Sequence, residues 1–532
     1  MARLLALLAA LLAWGAAPAA TFQVRPEGTG EASLAQALTQ LRPGDTLVLA
    51  EGTYRQSIDL RQTRLRGGDG TQPTRIEAAP GAQVVIKGSD LVQGWERLPD
   101  GVFVKRNWPV NSQQVFVDGE ALQQIGGTIL GGFPERKGHP MARLHAGQGG
   151  IWPGRVPGGR EALTDKSFFY DAQAQALYVK YPAASLDGHR VEASVRPFLL
   201  VGEGVRNLEV RNLRFEHANT TDKSQSGAVL LLGDRLTLER IHVAHVDGAG
   251  FDITGDDNTI ANSSANYCGQ VGMKVRGRRA RLIDNETSYN NTRGFNKWWE
   301  AGGAKFVGAG GLQDSEVSGH RAYFNKGDGI WFDWKNRNNY IHDSIVAYNT
   351  GMGIHYEASE GARIENNQVF GNRQRGIYLP NSARSLIAHN LVAGNGMEGI
   401  AVVDEKPGKP ELAPRDNRIV ANILAWNAGT ALVLPGEEQG NLSDGNLFVD
   451  AQAPSLSRGW GSREQPVLRG LAAWRNRTGQ DGASRFEQAA MPPALAGDLK
   501  ARRRDPDWSA LYALAVRRPE DKSNTSPGPK RP

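Results

Sequence analysis

Between Gly227 and Val403 the chain alternates short apolar and polar runs with turn residues, and it never sustains the i, i+3, i+4 spacing of a helix. A Gly followed by an apolar residue recurs at Gly227-Ala228, Gly250-Phe251, Gly272-Met273, Gly303-Ala304, Gly329-Ile330, Gly353-Ile354, Gly376-Ile377 and Gly399-Ile400, with successive glycines 22 to 31 residues apart. Asn325, Asn349, Asn372 and Asn395 each lie four residues before a repeat glycine. A third signal repeats Ile364/Asn367/Val369 as Ile387/Asn390/Val392, with echoes at Leu282/Asn285/Thr287 and Ile419/Asn422/Leu424. A unit of this length cannot bury its apolar face alone, so stacked units are expected: an all-β, single-stranded, right-handed parallel β-helix, or solenoid. The recurring asparagines then read as stack-formers whose side chains bond the backbone of the next coil, not as ligands.

The periodicity changes at both ends. Leu34, Leu38 and Leu41, followed by the Pro43-Gly44-Asp45 turn, predict a short amphipathic helix capping the open N-terminal end within residues 20–92. Residues 93–192 interrupt the repeat with GVFVKRN, QQVFVDGEAL, SFFYDAQAQALYVKY and HRVEAS, which read as strands and turns of a β-rich insertion. The main solenoid is expected over 193–450 and a loop- and helix-containing segment over 451–517. Arg3, the apolar run Leu4 to Leu12 and Ala17-Pro18-Ala19 make residues 1–19 an expected signal peptide, too short to span a bilayer, so export to the periplasm or the extracellular space is expected.

Composition refines this picture in two places. The net charge of +6 suggests nucleic acid until its distribution is read: from Ala501 to the end there are eight Lys/Arg against four Asp/Glu, in a Pro/Ser-rich stretch whose last part, 518–532, reads as a disordered tail. Neither a nucleic-acid partner nor membrane insertion is expected, and a monomer is. The single cysteine, Cys268, excludes an intrachain disulfide and reads as a small packed residue.

Strand alternation then places the chemistry. With the apolar residue after each repeat glycine pointing in, the positions two and four after the glycine point out. They are Trp331 and Asp333 on one coil, His355 and Glu357 on the next, and Tyr378 on the one after. On earlier coils they are Lys305, then Lys274 with Arg276, then Asp252. Strands on neighbouring coils run about 4.7–4.9 Å apart, so Asp333 and Glu357 should emerge side by side at the short separation of a retaining glycosidase, in which one carboxylate attacks the sugar and the other acts as acid and then base. Lys305, one coil before Asp333, favours Asp333 as the ionised nucleophile, and Glu357 as the proton donor.

GIWFDW followed by GIHYEAS resembles the motif pair of the right-handed β-helix glycoside hydrolases of the retaining β-xylosidase type. RPGDTLVLAEGTY, VVIKGSDLVQGW, QQVFVDGEAL, SFFYDAQAQALYVKY, RVEASVR and LRFEHANT extend the resemblance to the N-terminal segment of that group and its inserted β-sandwich. The resemblance implies a carbohydrate substrate, no required cofactor or metal, Asp333 as nucleophile and Glu357 as acid/base. Glu357 is followed by Ala358-Ser359-Glu360 where the family has a Val/Asn-His-Gly-Pro type segment, so the resemblance does not carry the sugar.

Other readings remain open beside it. Trp298 and Trp299, in the longest gap between repeat glycines, suit stacking on sugar faces; with Trp331, His355 and Tyr378 they are expected to line the sugar site. Lys274 and Arg276 either bind an acidic sugar or balance charge near Asp333. GGAKF around Lys305 also resembles the region of the catalytic lysine in calcium-dependent β-helix pectate lyases. That resemblance implies Lys305 as base, with calcium ligands sought among Asp252, Asp256 and Asp257. A non-catalytic, polysaccharide-binding solenoid is the third reading.

Overall fold

In the computed structural model the described residues are 19–26, 33–61, 63, 65, 72–127, 129, 156–220, 226–308, 310–406, 408–458 and 467–516. Nearly all of the expected leader and the whole of the tail 518–532 lie outside them.

The repeat folds into coils, each contributing strands to parallel ladders, and the one antiparallel pairing in this sheet among the described residues closes its C-terminal end, between Ser455–Arg458 and Leu468–Arg469. One ladder stacks Ala249–Thr254, Val271–Arg278, Gly302–Phe306, Asp328–Asp333, Ile354–Glu357, Ile377–Pro380, Ile400–Val403 and Leu432–Leu434. The second runs through Glu316–Ser318, Tyr340–His342, Arg363–Glu365 and Leu386–Ala388, and the third through Arg321–Tyr323, Ile345–Ala347, Gln368–Phe370 and Leu391–Ala393. The inward residues of all three form one continuous core, with Ile330, Phe332, Ile354 and Ile377 from the first ladder, Ile341 and Ile364 from the second, and Val346 and Val369 from the third. Each such side chain is fully buried, which contributes about 1.5–3 kcal/mol per residue relative to exposure.

The register agrees with the alternation read from the sequence except at the first unit. There Val229, not Ala228, stands opposite Phe251, so Gly227 is one residue out of step with the glycines that follow. The ladders also outlast the glycine signal, because Leu432 stacks on Ile400 and Ser455–Arg458 on Leu432–Leu434 without a Gly-apolar pair. Packing of the inward leucines suffices there.

The asparagines form the ladder expected of them. Asn325 Nδ2 donates to Asn349 Oδ1 at 2.9 Å, Asn349 to Asn372 at 2.9 Å, Asn372 to Asn395 at 3.0 Å and Asn395 to Asn427 at 2.9 Å. Each also donates to a backbone carbonyl, so buried turns leave few orphaned groups.

The helix Leu34–Gln40 starts at a capping box between Ser33 and Gln36, and its Leu34, Ala37 and Leu38 join the solenoid core. The insertion forms two small sheets, one pairing 89–91, 115–117, 120–121 and 191–194, the other 96–97, 103–105, 123–124, 167–171 and 176–180. Val115, Phe168, Val179 and Val191 form its own core. The helices Pro493–Lys500 and Ser509–Val516 lie over the outer side of the third ladder, where Leu495, Trp508 and Leu511 cover Tyr348, Phe370 and Ile423. The outer face of the first ladder carries the candidate chemistry.

Candidate active site

Backbone pairing sets Asp333 directly opposite Glu357, Trp331 opposite His355, Lys305 opposite Trp331 and His355 opposite Tyr378. Their neighbours Ile330, Phe332, Ile354 and Tyr356 are locked in the core, so the outward side chains cannot rotate inward without a register slip.

Asp333 receives its counter-charge from Lys305, whose Nζ lies 2.9 Å from Asp333 Oδ2. Lys305 is 4% exposed, sits 3.3 Å from the centroid of the Trp331 ring, and donates to the carbonyl of Trp299. The ammonium is thus held in place by a carboxylate, a π face and a carbonyl at once.

Glu357 accepts a hydrogen bond from Trp331 Nε1 at 3.2 Å, and its Oε2 lies 3.5 Å from His355 Nε2. Burial raises the pKa of its carboxyl group; the Asp333 and Glu405 charges add to this, while His355 and Lys305 act against it. A carboxyl that keeps its proton beside a carboxylate is the pairing that acid–base chemistry at a glycosidic oxygen needs.

His355 is itself fixed from behind. Its Nδ1 lies 2.8 Å from Asp328 Oδ2, and Asp328 Oδ1 accepts the Met352 N–H at 2.8 Å. The imidazole is sandwiched between Trp331, at 4.9 Å and 7° between ring planes, and Tyr378, at 5.0 Å. Burial, the largest influence, disfavours the imidazolium, but the hydrogen bond and charge of Asp328, helped by Glu357 and Asp333, outweigh it and raise the His355 pKa.

A cavity of about 430 Å³ opens beside these groups, lined by Trp298, Trp331, His355, Glu357 and Tyr378, with Met352, Gln374, Arg375, Met397 and Glu405. Trp298 is 43% exposed at its rim. Tyr378 donates its hydroxyl hydrogen to Glu405, and burial with the nearby Glu405 charge pushes its pKa up. Arg375 lies over the Tyr378 ring at 4.5 Å and pairs with Glu398 at 2.8 Å.

The remaining residues singled out from sequence stand elsewhere. Trp299 packs against the small cluster of Phe295 and Ala301 rather than lining the cavity. Lys274 is buried in ion pairs with Glu300 at 2.9 Å and Asp252 at 3.3 Å, and Arg276 is bound by Asp252. Both cations are neutralised, on the coil two before Asp333. Asp256 and Asp257 are paired with Arg279 on the surface. Among the described residues no three His, Cys, Asp or Glu side chains converge as a metal-binding group. Cys268 is buried, which pushes its thiol pKa up.

Asp328 and Glu405 were missed by the sequence reading. Asp328 carries a faint signal, an acid between two glycines at the start of its strand; Glu405 lies in the stretch where the coil lengthens from 23 to 32 residues.

Comparison with known proteins agrees with the architecture. Among solved structures, XylC in complex with xylose is 14% identical over 89% of this chain and 87% of its own, with a TM-score of 0.58. A glycoside hydrolase is 13% identical over 88% of this chain and 96% of its own at 0.47, and the A-module of the Azotobacter vinelandii mannuronan C-5 epimerase AlgE6 is 15% identical over 85% and 91% at 0.43. At 14% identity the likeness to XylC is one of fold. No curated protein matches the chain. Among the described residues no helix is long and apolar enough to cross a membrane. The profile of the right handed beta helix region matches residues 163–309, 199–392 and 317–462, overlapping stretches that take in more than half of the sequence, and the chain belongs to that family.

Proposed function

We propose that this protein is an exported, carbohydrate-active enzyme, and specifically a retaining glycoside hydrolase. The observation that carries the reading is the pairing of Asp333 with Glu357 on adjacent strands, one carboxylate held against Lys305 and the other half-buried with a raised pKa. A sugar bound with its ring in the 430 Å³ cavity would present its anomeric carbon to Asp333. Asp333 attacks that carbon as the glycosidic C–O bond breaks, and Glu357 gives its proton to the departing oxygen. Glu357, now a carboxylate, takes a proton from water, and the oxygen of that water displaces Asp333 from the sugar. His355 faces Glu357 throughout and changes how readily the proton leaves. The xylose bound to the structural relative XylC makes xylosides the first substrates to try.

The lyase alternative asks Lys305 to accept a proton. Its Nζ is instead engaged by Asp333, the Trp331 ring and the Trp299 carbonyl, and Asp252 is already occupied by Lys274 and Arg276. These observations favour hydrolysis.

Glu357→Gln tests the roles. It should abolish turnover of sugars with poor leaving groups while sparing the first step with an activated aryl glycoside. Full activity on both would refute the assignment, and product absorbing in the ultraviolet, lost in Lys305→Ala, would favour elimination.

A further inference from the structure

A second cavity, of about 510 Å³, lies on the opposite side of the carboxylate pair. Its place follows from the register. Trp334, Ala358 and Asn381 directly follow Asp333, Glu357 and Pro380 on three successive coils, and each takes a left-handed φ, of 63°, 45° and 55°. The Trp334 N–H donates to the Glu357 carbonyl at 3.1 Å and the Ala358 N–H to the Pro380 carbonyl at 3.0 Å, so the turn is fixed coil to coil. The first cavity is lined by Met352, Gln374 and Arg375, which precede the same strands. The two cavities therefore flank the carboxylates along the strand direction. One loop, between Val403 and Arg418, borders both, with Glu405 in the first cavity and Lys409 and Arg415 in the second.

The lining of the second cavity suits a sugar. Trp334 is 43% exposed and is followed on the next coil by Ala358, so a large indole stands beside a small residue and open space remains above the latter. An indole left that exposed in a concave site is suited to stacking on a carbohydrate ring. The charge differs from that of the first cavity, where Glu357 and Glu405 face Arg375. In the second, Glu360 is paired with Arg337 and, from outside the lining, with Arg384, and Arg415 lies 3.8 Å from Asp416, but Lys335 and Lys409 form no ion pair among the described residues, and Glu411 is the other acid in the lining. The balance is positive.

We propose that this cavity is the leaving-group subsite: it holds the sugar on the far side of the scissile bond, stacked on Trp334, and prefers that sugar to carry a carboxylate, as a uronate does. The inference rests on the glycosidase reading above.

The test uses the full-length protein, 4-nitrophenyl glycosides of the common pentoses and hexoses, and disaccharides of whichever sugar is accepted, linked to glucose or to glucuronate. Wild-type protein should cleave both kinds of substrate and favour the glucuronate disaccharide at low salt. Trp334→Ala should leave kcat/KM on the glycosyl fluoride of the accepted sugar, whose leaving group has no ring to stack, within about twofold while lowering it on both disaccharides by about tenfold, the effect of about 1.4 kcal/mol. The double variant Lys335→Ala/Lys409→Ala should lower only the glucuronate disaccharide, by about fivefold, and remove its salt dependence. Trp334→Tyr, which keeps an aromatic ring, should restore most of the disaccharide activity and controls for misfolding. Equal losses on all substrates, or none on the disaccharides, would overturn the subsite while leaving the glycosidase reading intact. A wild-type protein that cleaves nothing in the panel would overturn both.

Discussion

Replacing Asp328 by Asn removes one negative charge and almost no volume, and its consequence should be felt at Glu357, which Asp328 does not touch. In the native site Asp328 favours the charged form of the buried His355 across a 2.8 Å contact, and His355 Nε2 stands 3.5 Å from Glu357 Oε2. An Asn at this position can still accept the Met352 N–H, but its amide group facing Nδ1 no longer offsets the burial of an imidazolium, so His355 becomes neutral. Glu357 then loses a cation: at 3.5 Å and an effective dielectric of about 20 the attraction is about 5 kcal/mol before screening. Glu357 is partly exposed, so solvent screens part of this attraction, and the expected effect is a further rise in the proton affinity of the acid/base. Activity needs Glu357 protonated in the first step, so the basic limb of the kcat/KM profile should move to higher pH. Stability supplies a second readout. Because the His355 pKa is raised on folding, its contribution is present below the unfolded value of 6.5 and is lost as pH rises through the folded value; in Asp328→Asn that pH-dependent part should vanish from denaturation midpoints. A basic limb that stays in place in a variant of unchanged fold would refute the relay from Asp328 through His355 to Glu357.

Two further substitutions test the solenoid that carries the site. Asn372→Ala removes a side chain that accepts from the Asn349 N–H and amide and donates to the Val346 carbonyl and Asn395, leaving several buried groups unpaired, at about 1–3 kcal/mol each; urea denaturation should show a loss of about 3–5 kcal/mol. Gly353→Ala would place a Cβ 2.3 Å from Val369 Cγ1 and 2.6 Å from the Gly376 carbonyl, so the strand bearing His355 and Glu357 must shift; thermal unfolding should fall and kcat with it, and unchanged values for both would contradict the close packing behind this strand.

The parts of the fold legible in the sequence are those governed by strict alternation. One residue after each glycine faces the core and its neighbour faces out, so a single register places Trp331, Asp333, His355, Glu357 and Tyr378 on one face, as the strand pairing does. The rule fails at Gly227, where the glycine opens a long strand, Gly227–Ala244, and pairs with Ala249, one residue away from the repeat glycine Gly250. What alternation cannot carry is the contribution of turns and long loops, which have no period. Glu300, which neutralises Lys274, comes from the gap before Gly302–Phe306, and Glu405, which holds Tyr378, comes from the loop after Val403. The outward direction of Lys274 and Arg276 was readable, whereas their neutralisation depended on a carboxylate one coil back and another from a loop. Asp328 escaped because it lies at the first position of its strand, where the in-and-out rule does not yet apply, and its partners come from the following coil.

The central claim is that Asp333 and Glu357 act together on one anomeric centre at the spacing of neighbouring strands, and product stereochemistry tests it most directly. Proton NMR of the first-formed sugar, recorded before mutarotation with whichever aryl glycoside is cleaved, should show the anomeric configuration of the substrate. Release of the opposite anomer would mean that water attacks directly across a wider gap, and Asp333 could not then be the nucleophile.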